Sequence, residues 1–239
     1  MSRGQAHPGM TDKTTPLYVV CSPCRRVGKS LISRLLTEFY VVNDRPVAAF
    51  DLADEGPQLA DFLPNITTVA DIADTRGQMA FFDRLIAHDV GARIIDLSHR
   101  VFAKFFTVVQ EIRFFEEARH RAIEPLVLFI IDPDPKSAKA YTMLRRQLSQ
   151  ASLLPVRNQI NAVAIGRAPQ NANVPPTSLD IPLLGLPLRA LIDRQSFSFS
   201  MLSRASPADL PVSVKNELSR WVERIFFQFR HLELVLGCA

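Results

Sequence analysis

Apolar residues along this 239-residue chain fall into short continuous runs, separated by longer stretches where they recur every three or four positions. Continuous runs of this length predict strands buried on both faces, and the helical spacing predicts helices that cover them. Runs at residues 17–20, 47–50, 92–95, 125–131, 162–165 and 183–186 are read as strands. Helical patterns occupy residues 31–39, 78–89, 102–121, 137–151 and 213–236. Strands alternating with helices predict an α/β fold with a mainly parallel sheet and helices on both faces, in three layers. Ligands of such sheets gather at the carboxyl ends of the strands. Three runs end in an aspartate there, Asp51, Asp96 and Asp132, while the run at 162–165 ends in Gly166-Arg167 and the last in Pro187. Asp132-Pro133-Asp134-Pro135 reads as a rigid turn, with Ser137 as the N-cap of the helix after it.

The first strand leads through a polar loop into Val27-Gly28-Lys29-Ser30, and Leu31, Ile32, Leu35, Leu36 and Phe39 follow at helical spacing. Strand, loop, Gly-Lys-Ser and helix is the layout of a phosphate-binding P-loop. Backbone N–H groups and the positive end of the helix receive phosphate oxygens. The cradle is expected to run from Pro23 through Cys24, Arg25, Arg26, Val27, Gly28, Lys29 and Ser30 to Leu31. Lys29 supplies charge to the terminal phosphates, and the Ser30 hydroxyl is placed to ligate Mg²⁺. The pattern has a glycine five residues before Gly28, where this chain has Pro23, which lacks an N–H. Asp96, at the end of an apolar strand downstream, stands in the Walker B arrangement as the second Mg²⁺ residue, and Asp51 ends the strand after the loop's helix. A nucleoside triphosphate is the expected ligand or substrate.

Composition narrows the class. Apolar residues make up 47% of the chain and charged residues 22%, an ordinary globular balance for one sizeable domain. Residues 1–15 read as a flexible leader and 16–239 as a single nucleotide-binding domain. The leader has no apolar core of a signal peptide, and no apolar run reaches membrane-spanning length. The net charge of +4 is scattered, so it gives only weak grounds for DNA or an anionic membrane as partner. Cys21, Cys24 and Cys238 form neither a disulfide framework nor a four-ligand zinc site, which fits a reduced cytoplasmic protein.

Taken in order, these features resemble the ParA/MinD group of ATPases, which carry a deviant Walker A loop. The likeness rests on the loop at 17–36, on Arg45-Pro46-Val47-Ala48-Ala49-Phe50-Asp51-Leu52-Ala53-Asp54, and on Ile94-Ile95-Asp96. It continues through Val163-Ala164-Ile165-Gly166-Arg167 and Ile181-Pro182-Leu183-Leu184-Gly185-Leu186-Pro187 to the closing helix. The resemblance implies a Mg-ATP-dependent homodimer that acts as a switch in positioning, partitioning or assembly, with an unnamed protein partner. It places Asp51 or Asp54 at the attacking water and base contacts in the backbone around Pro187 and Leu188.

The departures predict slow or lost hydrolysis. The family's signature lysine falls at Cys24 and its glycine pair at Arg25-Arg26, so either arginine is a stand-in for the missing charge. Leu97-Ser98-His99-Arg100 replaces the small residues and glycine after Asp96, Ala53 stands at the second acid of D-x-D, and Gly166 at the base-contacting asparagine. Two other readings stay open. One is a non-catalytic interaction protein that keeps the fold. The other is a thiol-disulfide protein using Cys21 and Cys24, a C-x-x-C between strand and helix. The helix at 213–236 is amphipathic with arginines on its flanks. Packing on the sheet is expected, with Phe227 left exposed and a membrane-surface role as the lesser alternative.

Overall fold

β1 (Thr15–Cys21) is almost wholly apolar, and the sheet is built outward from it. The computed structural model describes residues 14–52, 59–87, 91–148, 151–160, 178–204 and 210–238. The other strands are β2 (Val47–Leu52), β3 (Thr67–Val69), β4 (Ala92–Leu97), β5 (Ile123–Ile130), β6 (Ser152–Asn158) and β7 (Leu179–Ile181). They form one seven-stranded sheet in the order β3-β2-β4-β1-β5-β6-β7, with every pairing parallel. All carboxyl ends therefore share one edge, and β1 delivers its loop to the middle of it.

Strand pleating divides the core in two. Tyr18, Val20, Ile94, Leu126 and Leu128 face one layer, and Leu17, Val19, Ile95, Val127 and Phe129 face the other. α1 (Lys29–Val42), α7 (Leu186–Ile192), α8 (Phe199–Arg204) and α9 (Val212–Leu236) cover the first face. α3 (Thr75–Ile86), α4 (Phe102–Glu111), α5 (Phe114–His120) and α6 (Pro135–Gln147) cover the second, with a phenylalanine cluster that includes Phe81, Phe82, Phe105 and Phe114. The short α2 (Leu59–Phe62) follows β2. The expected α/β fold with a parallel sheet between helical layers is present.

α9 packs on the sheet through Leu218, Trp221, Val222, Ile225, Phe226 and Phe229. Burying a side chain of this size contributes about 1.5–3 kcal/mol. Its Trp221 indole N–H donates to the Pro182 carbonyl at 2.9 Å. Gln228 brackets the edge strand β7, accepting from the Asp180 N–H and donating to the Asp180 carbonyl, each at 2.8 Å. Phe227 is exposed, as its place on the helix predicts. Among the described residues, no helix is long and apolar enough to cross a membrane.

Several sequence expectations need correction. Residues 183–186 are not a strand. β7 precedes them, and Leu186 opens α7. The helix expected over 102–121 breaks at Arg113, which takes a left-handed φ of 51° between α4 and α5. Asp134, not Ser137, caps α6, accepting from the Lys136 N–H at 2.9 Å, while Pro135 occupies the first turn, where no N–H is needed. Thr15, expected in the leader, already pairs in β1. β3 and β6 were not expected. The run at 162–165, Gly166-Arg167 and Asp54 lie outside the described residues.

Candidate functional site

The β1–α1 loop, Ser22 to Gly28, carries a single glycine. Gly28 is the N-cap of α1 with φ 92° and ψ 27°, a left-handed conformation that a β-carbon opposes. Arg26, where the resemblance has a glycine, adopts φ 54°. The first turn of α1 has no side-chain cap and no acidic residue, so its N–H groups face no built-in anion. Arg25 and Arg26 are exposed beside it. The Lys29 ammonium arches back over the loop and donates to the Cys24 carbonyl at 2.7 Å. Burial lowers the Lys29 pKa, and the neighbouring Asp96 carboxylate opposes the shift.

Sheet register supplies the acids. Val20 pairs with Asp96 across β1 and β4, and Asp96 pairs with Asp51 across β4 and β2. Both carboxylates lie on the face covered by α1, because their neighbours Phe50, Leu52, Ile95 and Leu97 belong to the other layer. Asp51 is fully buried, and its carboxylate accepts from the Ala60 N–H at the start of α2 at 3.0 Å. Asp96 is 2% exposed, and neither of its carboxylate oxygens has a hydrogen-bond partner of ordinary geometry. Burial pushes its pKa up to about 7, and the charge of Asp51 adds to that. The Ser30 and Ser33 hydroxyls and the Lys29 ammonium lie close enough to pull it back. A buried carboxylate with so little hydrogen bonding on the chain is rare, and a water or a bound ion is among the groups that can complete it.

The structure thus gathers Lys29, Ser30, Asp51 and Asp96 around the first turn of α1, with the loop from Pro23 through Cys24 to Val27 above them and Leu31 in the same turn. Pro187 is exposed in the first turn of α7. Asn158 was missed by sequence reasoning. It ends β6, is 7% exposed, and donates to the Val27 carbonyl at 2.9 Å. The only signal was a polar residue closing Leu153-Leu154-Pro155-Val156, and Pro155 argued against a strand there. Among the described residues β7 pairs only Val156 to Asn158, so β6 still has a free side at the proline.

Cys24, Asp132 and Asp134 also come together, with candidate ligand atoms within 4.8 Å of one another. Their hydrogen bonds belong to the turn. Asp132 accepts from the Asp134 N–H, and Asp134 caps α6 and pairs with Lys136 at 3.5 Å. Burial raises the Cys21 and Cys24 thiol pKa values, opposite to the shift of an activated thiol. A surface depression along α6, between Ala138 and Gln147, shares no residue with the site under β1. No protein-family model matches the chain, and no curated protein matches its sequence.

Proposed function

We propose that this chain is a P-loop nucleotide-binding protein that takes Mg-ATP at the β1–α1 loop and resembles the ParA/MinD ATPases in that use. The observation that carries the reading is Asp96. A carboxylate is buried with neither oxygen in a hydrogen bond of ordinary geometry, beside the Ser30 and Ser33 hydroxyls and under an uncapped helix N-terminus that opens at Lys29. Ser30 and Asp96 would hold Mg²⁺, which supplies positive charge shared between the carboxylate and the phosphate oxygens. Lys29 exchanges its bond to the Cys24 carbonyl for a phosphate oxygen, and the first-turn N–H groups of α1 orient the same group. Asp51, whose Oδ2 already accepts from the Ala60 N–H, would orient the attacking water through its remaining acceptor sites.

The reading extends to a nucleotide-dependent homodimer acting as a switch, with Arg25 or Arg26 in place of the missing signature lysine. Light scattering of the full chain with and without Mg-ATP, beside phosphate release, tests this. A doubling of mass with Mg-ATP that Arg25→Ala or Arg26→Ala removes is expected. A chain that binds ATP and stays a monomer contradicts the switch.

The second reading, an interaction protein that keeps the fold, draws on Phe227 and Leu234. Each is 67% exposed, and they lie seven residues apart on one side of α9. It predicts that Lys29→Ala is harmless to function. The raised thiol pKa values leave the redox reading without support.

A further inference from the structure

The Asn158 carboxamide is used at both ends. Its Nδ2 donates to the Val27 carbonyl at 2.9 Å, and its Oδ1 accepts from the Ile160 N–H at 3.2 Å. The donor and acceptor sites lie 131 residues apart in sequence, so β6 is clasped to the loop after β1 across the intervening β5. Val27 is itself 3% exposed, so its carbonyl has no easy recourse to water.

The bonded carbonyl belongs to the Val27–Gly28 peptide. That peptide is trans and planar, so its C=O and the Gly28 N–H point in opposite directions. Pinning the carbonyl toward β6 therefore fixes where the Gly28 N–H points. It also sets the plane from which Gly28 enters its left-handed conformation and α1 begins. Glycine alone would leave this peptide free to rotate, since it tolerates many backbone angles.

We propose that Asn158 is a positioning residue for the phosphate cradle: it holds the Val27–Gly28 peptide in the orientation that aims the loop at its anion. The inference rests on the P-loop reading and adds a residue from the far side of the sheet to it. In this role Asn158 acts through backbone alone, with one Nδ2 hydrogen on the Val27 carbonyl and its Oδ1 on the Ile160 N–H.

The test compares the full-length wild type with Asn158→Ala and Asn158→Asp. Each is titrated calorimetrically with Mg-ATP and with inorganic tripolyphosphate plus Mg²⁺, and thermal melts are run in parallel. Asn158→Asp keeps an acceptor for the Ile160 N–H and loses the donor to Val27, so it carries the test if Asn158→Ala does not fold. Both variants are expected to bind both probes about ten-fold more weakly or worse, by the same factor for each. Wild-type affinity in a folded Asn158→Asp overturns the proposal and leaves the nucleotide site standing. A loss confined to ATP, with tripolyphosphate unchanged, overturns it in favour of base contact. Failure of the wild type to bind either probe overturns the nucleotide reading and this proposal together.

Discussion

Asp96 and Glu233 are each 2% exposed, and both serve the layer that contains α1. Their surroundings differ sharply. Glu233, near the end of α9, accepts from the Tyr40 hydroxyl and from Arg45 at 2.6 Å, and Tyr40 in turn meets Tyr18 at 3.0 Å. Every partner is on the chain, and the network ties the last helix to α1 and β1. Asp96 has no such set, and the groups nearest it are Ser30, Ser33, Lys29 and a second acid. Equal burial with opposite satisfaction separates a carboxylate tied into the packing from the one that the proposed function gives to a ligand. Glu233 shows that this layer can satisfy a buried carboxylate from its own side chains.

Removing each acid should therefore have opposite effects. Glu233→Ala leaves Arg45 and Tyr40 without their acceptor and is expected to destabilise the protein by about 3 kcal/mol in chemical denaturation. Asp96→Asn should stabilise the free protein at pH 8. The sign follows from the raised pKa. Between pH ~4 and about 7 the folded Asp96 keeps a proton that the unfolded chain has released, so its contribution to stability falls as pH rises through that window. Asparagine does not titrate, so Asp96→Asn removes the slope. Denaturation midpoints of wild type and Asp96→Asn at pH 5 and pH 8 check this. Equal pH dependence in the two would break the comparison.

On the proposed nucleotide reading, the same proton links to the ligand. Mg²⁺ needs the ionised carboxylate, so affinity for Mg-ATP should rise between pH 6 and pH 8 by up to about ten-fold. Asp96→Asn should lose this rise, as read by calorimetry at the two pH values. The smallest effect belongs to α9's outer surface. Phe227→Ser touches neither network and should change stability by no more than about 0.5 kcal/mol, checked by the same melts.

The parallel sheet was legible because its central strands are continuous apolar runs, and the loop because Gly28-Lys29-Ser30 sits between strand and helix. Asp96 was legible as a strand-end acid, though its lack of partners was not, since satisfaction depends on what the register brings beside it. β6 was hidden by Pro155 and by a helical pattern that ran on to residue 151. With the strand went Asn158, whose role depends on a contact 131 residues away that no local pattern carries. The short β7 was misplaced onto residues 183–186, because three residues bracketed by Gln228 hold as a strand only once α9 is packed. Arg26 shows the converse. Its residue type gives no local sign of the left-handed backbone, usual for glycine, that it adopts.

The most direct test of the central claim is a calorimetric titration of the folded wild-type chain with ATP and Mg²⁺, run beside Lys29→Ala. Saturable binding by the wild type that Lys29→Ala loses is the predicted result. A folded wild type that takes up no ATP, or binds it equally well without Lys29, would contradict the account.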